Sequence, residues 1–285
     1  MLRWGDAHRR DLPWRDTRDP WSILVAEVML GQTQVPRVLV KWPEFLRRWP
    51  TPTQCGAAPL ADLLVAWSGL GYPRRCRNLH LAAQQLVDRH AGEVPADLDD
   101  LLALPGVGPY TARAVLAFAF ERDVGVVDTN IARVLARTAG RRLTQRAAQA
   151  AADARVPAGA GWAWNQTVMD VGAVHCRPLP RCNGCPFEST CAWRAVLSSA
   201  TSSDSDPEID PATGSAGVST RQGRFEGSDR QLRGRVMATL VAGPRRTQGV
   251  VDDLTDDEMR ARRVLEGLVA DGLVVRTDDT LALPG

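Results

Sequence analysis

The chain is almost without lysine. Lys41 is the sole lysine among 35 lysines and arginines, so chemistry through a side-chain imine has one candidate amine. Such an amine works as a nucleophile only when it is desolvated and set against its target. Lys41 instead falls in an amphipathic stretch, where a solvated charge is expected. No apolar run reaches the roughly 18 residues of a membrane-spanning helix. The opening Met1-Leu-Arg-Trp-Gly-Asp6 lacks a secretory leader pattern, so a cytoplasmic protein without a membrane partner is expected. The alternation of strands is scarce, which points to a mainly α protein. Net charge is only +2, so the global field selects no polyanionic partner. Cysteine is sparse outside one stretch, and Cys55 and Cys76 read as ordinary thiols.

That stretch holds Cys176, Cys182, Cys185 and Cys191, spaced C-x5-C-x2-C-x5-C in a Pro-rich loop. Four thiols so close together cannot easily form two unstrained disulfides. They suit one metal centre, either tetrahedral zinc or an iron–sulfur cluster. A reducing compartment favours metal over disulfide.

Residues 19–31 read as a helix opened by Asp19-Pro20 and closed by Gly31. Further helices are expected at about 36–48, 59–67, 74–90, 98–103, 109–120, 129–139, 144–154 and 162–175. Composition changes near Ser198. Residues 197–223 are rich in Ser, Thr, Asp, Gly and Pro and read as a flexible linker. Ser228-Asp-Arg-Gln231 and Thr255-Asp-Asp-Glu258 then fit capping boxes. Leu273–Arg276 and Leu281–Leu283 suggest a hairpin, so residues 224–285 read as a small winged-helix-like module. Its arginines suggest an auxiliary contact with DNA. The domains expected are 1–196, the linker 197–223 and the module 224–285.

Three features carry chemistry. Leu104-Pro-Gly-Val-Gly-Pro-Tyr110 reads as helix, turn, helix. Gly106 and Gly108 allow the turn, and open backbone N–H groups at the second helix can hold a phosphate. Asp128, in Val126-Val-Asp-Thr-Asn130, is a good helix cap; capping also fixes a carboxylate at a cleft edge. Glu27 lies among Val25, Ala26, Val28, Met29 and Leu30. It faces either solvent or the core; buried, it would stay protonated as a general acid. A proton donor with an ionised partner suits glycosidic cleavage.

Residues 1–196 resemble the MutY-type adenine DNA glycosylases of the endonuclease III (helix-hairpin-helix) superfamily. The matching stretches are Asp11-Leu-Pro-Trp-Arg15, Ala26-Glu-Val-Met-Leu-Gly-Gln-Thr-Gln34, Gly69-Leu-Gly-Tyr72, the hairpin, Val127–Asn130, Asn165-Gln166 and the cysteines. The resemblance implies two helical subdomains with the active cleft between them and an iron–sulfur loop at 176–191. It implies that Glu27 protonates adenine, that Asp128 stabilises the sugar cation, and that Tyr110 and Asn130 assist. Gln32, Thr33 and Leu70 correspond to residues that wedge into the duplex. Trp14, Arg15 and Gln166 correspond to the pocket of the flipped base. Cys176, Cys182, Cys185 and Cys191 correspond to ligands of a [4Fe–4S] cluster.

The implied partner is double-stranded DNA containing a mispair, bound by a monomer. The implied reaction is hydrolysis of adenine opposite 8-oxoguanine or guanine. Tyr110 stands where strand-nicking relatives carry a lysine, so base release without strand cleavage is expected. The chain departs from the pattern at Gly31, where the family commonly has glutamine, and in the first cysteine gap, five residues rather than six. Its tail does not resemble the family's Nudix-like domain. Two other functions fit parts of the sequence: a mismatch thymine or uracil glycosylase, and a non-catalytic metal-containing DNA-binding regulator.

Overall fold

The computed structural model describes residues 1–199, 209–218 and 223–285. In chain order its helices are α1 (Leu2–His8), α2 (Pro20–Leu30), α3 (Val35–Arg48), α4 (Pro52–Ala57), α5 (Leu60–Trp67), α6 (Arg74–His90), α7 (Leu98–Leu102), α8 (Pro109–Phe118), α9 (Thr129–Ala139), α10 (Gln145–Asp153), α11 (Gly161–Val174), α12 (Ala192–Ser199), α13 (Asp229–Val241), α14 (Thr247–Leu254) and α15 (Glu258–Ala270). A single 3-10 turn covers Pro13–Arg15. The strands are β1 (Arg245–Arg246), β2 (Val275–Thr277) and β3 (Thr280–Ala282). The mainly α expectation holds, and among the described residues no helix is long and apolar enough to cross a membrane.

Contacts divide the chain into two compact units. Unit 1 is Met1–Pro20, Ala96–Leu98 and Gly108–Arg221; unit 2 is Trp21–Pro95, Asp99–Val107 and Gln222–Gly285. In unit 1, α11 packs on α9, α1 and α8, while α10 and α12 pack on α9. The centre is made by Val126, Ile131, Val134, Leu135, Val168 and Val171, all buried. In unit 2, α6 packs on α4 and α5. It buries Cys76, Leu79, Ala83 and Leu86 along one face, at helical spacing. Cys55 and Cys76 are fully buried, and burial pushes the Cys55 thiol up to about 12. They are core residues, as expected.

The tail runs α13, β1, α14, α15, β2, β3, with strand order β1-β3-β2 and both pairings antiparallel. This is a winged-helix-like arrangement. Ser228 caps α13 as anticipated, accepting from Gln231 N. For α15 the cap is Asp257, accepting from Arg260 N, rather than Thr255. By contacts the tail groups with residues 21–95 and 99–107.

The linker expectation needs a larger correction. Residues 200–208 and 219–222 lie outside the described residues, but 209–218 form turns docked on unit 1. Asp210 takes the Arg137 guanidinium on both oxygens, at 2.6 and 3.1 Å. Ser215 is buried, accepts from Leu143 N and donates to the Pro211 carbonyl. Ala216 N donates to the Leu143 carbonyl. Ser, Asp and Gly make turns as readily as they make linkers; a partner 73 positions away decided between the two.

Arg137 is only 2% exposed, so losing its counter-charge strands a buried cation. Asp210→Ala is expected to cost on the order of 2 kcal/mol in urea unfolding. That is less than the roughly 3–5 kcal/mol of a fully buried pair, because Asp210 retains some water. No change in stability would show that 209–218 does not hold Arg137 in solution.

Candidate active site

In unit 1 the site starts from a helix end. Asp128 is the N-cap of α9, and its Oδ1 accepts from Ile131 N at 2.6 Å. Capping orients the carboxylate without using all its lone pairs. Asn130 Nδ2 donates to the other oxygen at 3.2 Å. Arg133 then donates to Asn130 Oδ1 and to the Gly172 carbonyl, both at 2.8 Å, and to the Cys176 carbonyl. A continuous run of hydrogen bonds thus links Asp128 to the cysteine loop. Gly172 makes this approach possible, because a Cβ there would lie 2.6 Å from Asn130 Cβ. Burial raises the Asp128 carboxyl above the ordinary aspartate value; the Ile131 N–H, Arg133 and Asn130 oppose this only in part.

The segment before Asp128 is fixed by Asn165 of α11. Its Oδ1 accepts from Val126 N at 2.9 Å, and its Nδ2 donates to the Val124 carbonyl at 2.9 Å. Gln166 beside it is buried, as is Trp14. Tyr110 lies in the first turn of α8, which Gly108 caps and Pro109 opens. The preceding turn, in unit 2, needs Gly106 in the left-handed region at φ +78.

In unit 2, Glu27 is 4% exposed on α2, amid Ile23, Leu24, Val25, Ala26 and Met29. The sequence left its surroundings open; the structure puts it in the core. The end of α2 is held by Arg75. Its Nη1 donates to the Val28 and Met29 carbonyls at 2.7 and 2.9 Å. Its Nη2 donates to Thr33 Oγ1 at 2.8 Å and to the Leu70 and Gly71 carbonyls at 3.2 and 3.1 Å. Thr33 Oγ1 also donates to the Leu70 carbonyl. One guanidinium therefore joins the Glu27 helix, the 31–33 turn and the 69–72 loop. Burial lowers the Arg75 pKa to about 10, still far above neutral, so it stays charged. Gln32 is exposed in left-handed backbone at φ 63.

The four loop cysteines line one solvent-open cavity in unit 1. Among the described residues, no three His, Cys, Asp or Glu side chains gather closely enough to hold a single ion. Arg137 Nη1 donates to Cys176 Sγ at 3.4 Å, and to the Arg177 carbonyl at 2.6 Å. Burial pushes the Cys185 thiol up to about 11.

The chain matches the HhH-GPD superfamily of base excision DNA repair proteins over residues 25–157. It is 42% identical to the adenine DNA glycosylase of Mycobacterium tuberculosis (strain CDC 1551 / Oshkosh), across all of this chain and 92% of the relative. The chain belongs to the adenine DNA glycosylase family. Two solved structures share its helix-hairpin-helix fold. A thermostable thymine-DNA glycosylase is 30% identical with a TM-score of 0.66, covering 68% of this chain and 93% of its own. An endonuclease III–DNA complex is 28% identical with a TM-score of 0.58, covering 64% and 87%.

Two more of the expected site residues are buried. Leu70 is 2% exposed, and its carbonyl accepts from Thr33 and Arg75. Arg15 is 5% exposed and gives both terminal nitrogens to Asp170, at 2.8 and 3.0 Å. This pair braces unit 1 from within. Asp170 is fully buried; burial alone would raise its pKa, but Arg15 and Arg10 outweigh that and hold it below the ordinary range. Sequence reading missed Asp170, Arg75, Arg133 and Arg137. The signal for Arg75 was the arginine pair Arg74-Arg75 shortly after the Gly69–Gly71 loop; Asp170 had none, its partner being 155 positions away.

Because burial raises the Asp128 pKa, the folded chain holds that proton more tightly than the unfolded chain does. Above the folded pKa the carboxylate costs stability, and below the unfolded value the cost is absent. Asp128→Asn keeps a capping oxygen and removes the charge, so at pH 7 it should be at least as stable as wild type. Asp128→Ala should unfold about 1 kcal/mol earlier than Asp128→Asn. Equal loss in both variants would mean that the carboxylate is not strained at neutral pH.

Proposed function

We propose that this glycosylase hydrolyses the N-glycosidic bond of adenine mispaired with 8-oxoguanine or guanine, acting as a monomer on double-stranded DNA. The observation that carries the reading is the pair of carboxyls in unlike settings: Glu27 shut in an apolar helix face, Asp128 fixed by a helix N-terminus and Asn130. Glu27 gives its proton to a ring nitrogen of the flipped base, which weakens the C–N bond. The bond breaks towards the purine, and Asp128 offsets the positive charge left on the sugar. Water adds at C1′, and its released proton balances the one Glu27 gave. The products are adenine and an abasic site. Tyr110 and Asn130 assist at the sugar. Gln32 and Thr33 engage the duplex, Trp14 and Gln166 flank the base, and Gly106 and Gly108 bring α8 backbone N–H groups to a phosphate.

The four thiols fit a [4Fe–4S] cluster. All four line one cavity, and Arg137 already donates to a sulfur. When bound, the cluster supplies a cross-link and a fixed charge. Cys185→Ser should lower folded yield and bleach visible absorbance before it slows chemistry. A colourless variant with full yield and full activity would overturn the cluster assignment.

The decisive assay is single-turnover base release from duplexes with adenine opposite 8-oxoguanine, adenine opposite guanine, and thymine or uracil opposite guanine. Adenine release by the wild type, lost in Glu27→Gln with duplex affinity kept, is the expected result. Thymine release, or an active Glu27→Gln, would support the mismatch pyrimidine reading instead. Release of no base with tight binding would support the regulator. Strand nicking should require added alkali, because the lone lysine pairs with Glu44 on α3 at 3.7 Å. A borohydride-trapped adduct lost in Lys41→Ala would overturn this.

A further inference from the structure

A winged-helix-like module in a DNA repair protein invites the reading that it touches DNA. Its charges point elsewhere. Residues 224–285 hold ten arginines against eleven acids and no lysine. The arginines of α15 are spent inside the module. Arg260 bonds Asp229 and the Gly227 carbonyl at 2.7 and 2.6 Å, Arg262 bonds Glu258 and Gln248, and Arg263 lies 3.8 Å from Asp229. Arg276 on the wing strand bonds Glu266 at 2.8 Å. Phosphate binding would have to break these pairs.

The module's other contacts run to protein within unit 2. Asp271, just after α15, bonds Arg233 of α13 and lies 3.5 Å from Arg74 of α6. The Pro284 carbonyl accepts from Ala61 N in the first turn of α5 at 2.8 Å. Arg230 of α13 reaches the Tyr72 hydroxyl at 3.4 Å. Tyr72 holds left-handed backbone at φ 48, which a tyrosine adopts only when its surroundings fix it. Its ring lies 5.6 Å from the Arg75 guanidinium, which in turn holds the Val28 and Met29 carbonyls directly after Glu27.

We propose that the C-terminal module is a protein-facing brace and that Arg230 is a positioning residue. Through Tyr72 and Arg75 it fixes the 69–72 loop and the end of the helix that carries Glu27. The inference rests on the proposed role of Glu27 for its catalytic readout only.

The test uses the full-length protein. Arg230→Ala and Tyr72→Phe should each slow single-turnover adenine release about three- to ten-fold, the worth of one hydrogen bond of roughly 1 kcal/mol. The double variant should be no slower than either single, because both remove the same contact. Arg230→Lys should recover part of the rate. The salt dependence of duplex affinity should match wild type in Arg230→Ala and in the control Arg262→Ala. Hydrogen exchange at residues 69–77 in the free protein should quicken in Arg230→Ala, with the melting temperature little changed. Additive rate losses, or unchanged exchange and rate, would overturn the brace. A salt slope shallower by about 0.9 per arginine would show a phosphate contact and overturn it too. Should the wild type release another base, the proposed substrate fails while exchange at 69–77 still decides the brace.

Discussion

A guanidinium taken out of water has to find acceptors, and this molecule builds its loops around that demand. Arg75, Arg133 and Arg137 are each drawn largely out of solvent and each donate to backbone carbonyls of segments distant in sequence. A carbonyl accepts without adding charge, so the cation stays ionised and the loop it bonds is pinned. Arg75 pins the end of α2, Arg133 pins the cysteine loop to α9, and Arg137 pins that loop to residues 209–218. Arg15 solves the same problem with a buried carboxylate. The planar fork of five donors makes arginine fit for this, because its donors are spread over three nitrogens and reach separated acceptors.

This arrangement explains how two carboxyls can be held in opposite conditions. In the proposed mechanism Glu27 holds its proton on a dry, apolar face, and Arg75 ties down the end of α2 that carries it. In the same mechanism Asp128 stays ionised while poorly hydrated. The Ile131 N–H and Asn130 support the charge, and Arg133 supports Asn130. The cysteine loop meets this run at the Cys176 carbonyl, so a structural centre bears on the site through backbone rather than through chemistry.

Much of the backbone was legible in the sequence because its signals are local. Pro and Gly punctuation placed α6 at 74–90 and α9 at 129–139, and Asp128 and Ser228 announced the helices they cap. The short helices α1, α4 and α12 escaped, since two turns carry too little periodicity. What the local pattern could not hold was pairing across the chain. Leu70 looks like an exposed loop residue, yet it is buried in the fold. Residues 209–218 look like linker until Arg137 is seen without another carboxylate among its bonds. Nothing near Arg15 in the sequence announces Asp170, which comes from α11.

The central claim is that the two carboxyls act in opposite protonation states. The most direct measurement is the pH profile of single-turnover adenine release. The rate should fall on the acid side as Asp128 takes up a proton, at a pH above the ordinary aspartate value of about 3.9. It should fall again on the alkaline side as Glu27 loses its proton, and Glu27→Gln should leave no profile to measure. A rate that stays flat down to pH ~4, or an alkaline limb that persists in Glu27→Gln, would contradict the account.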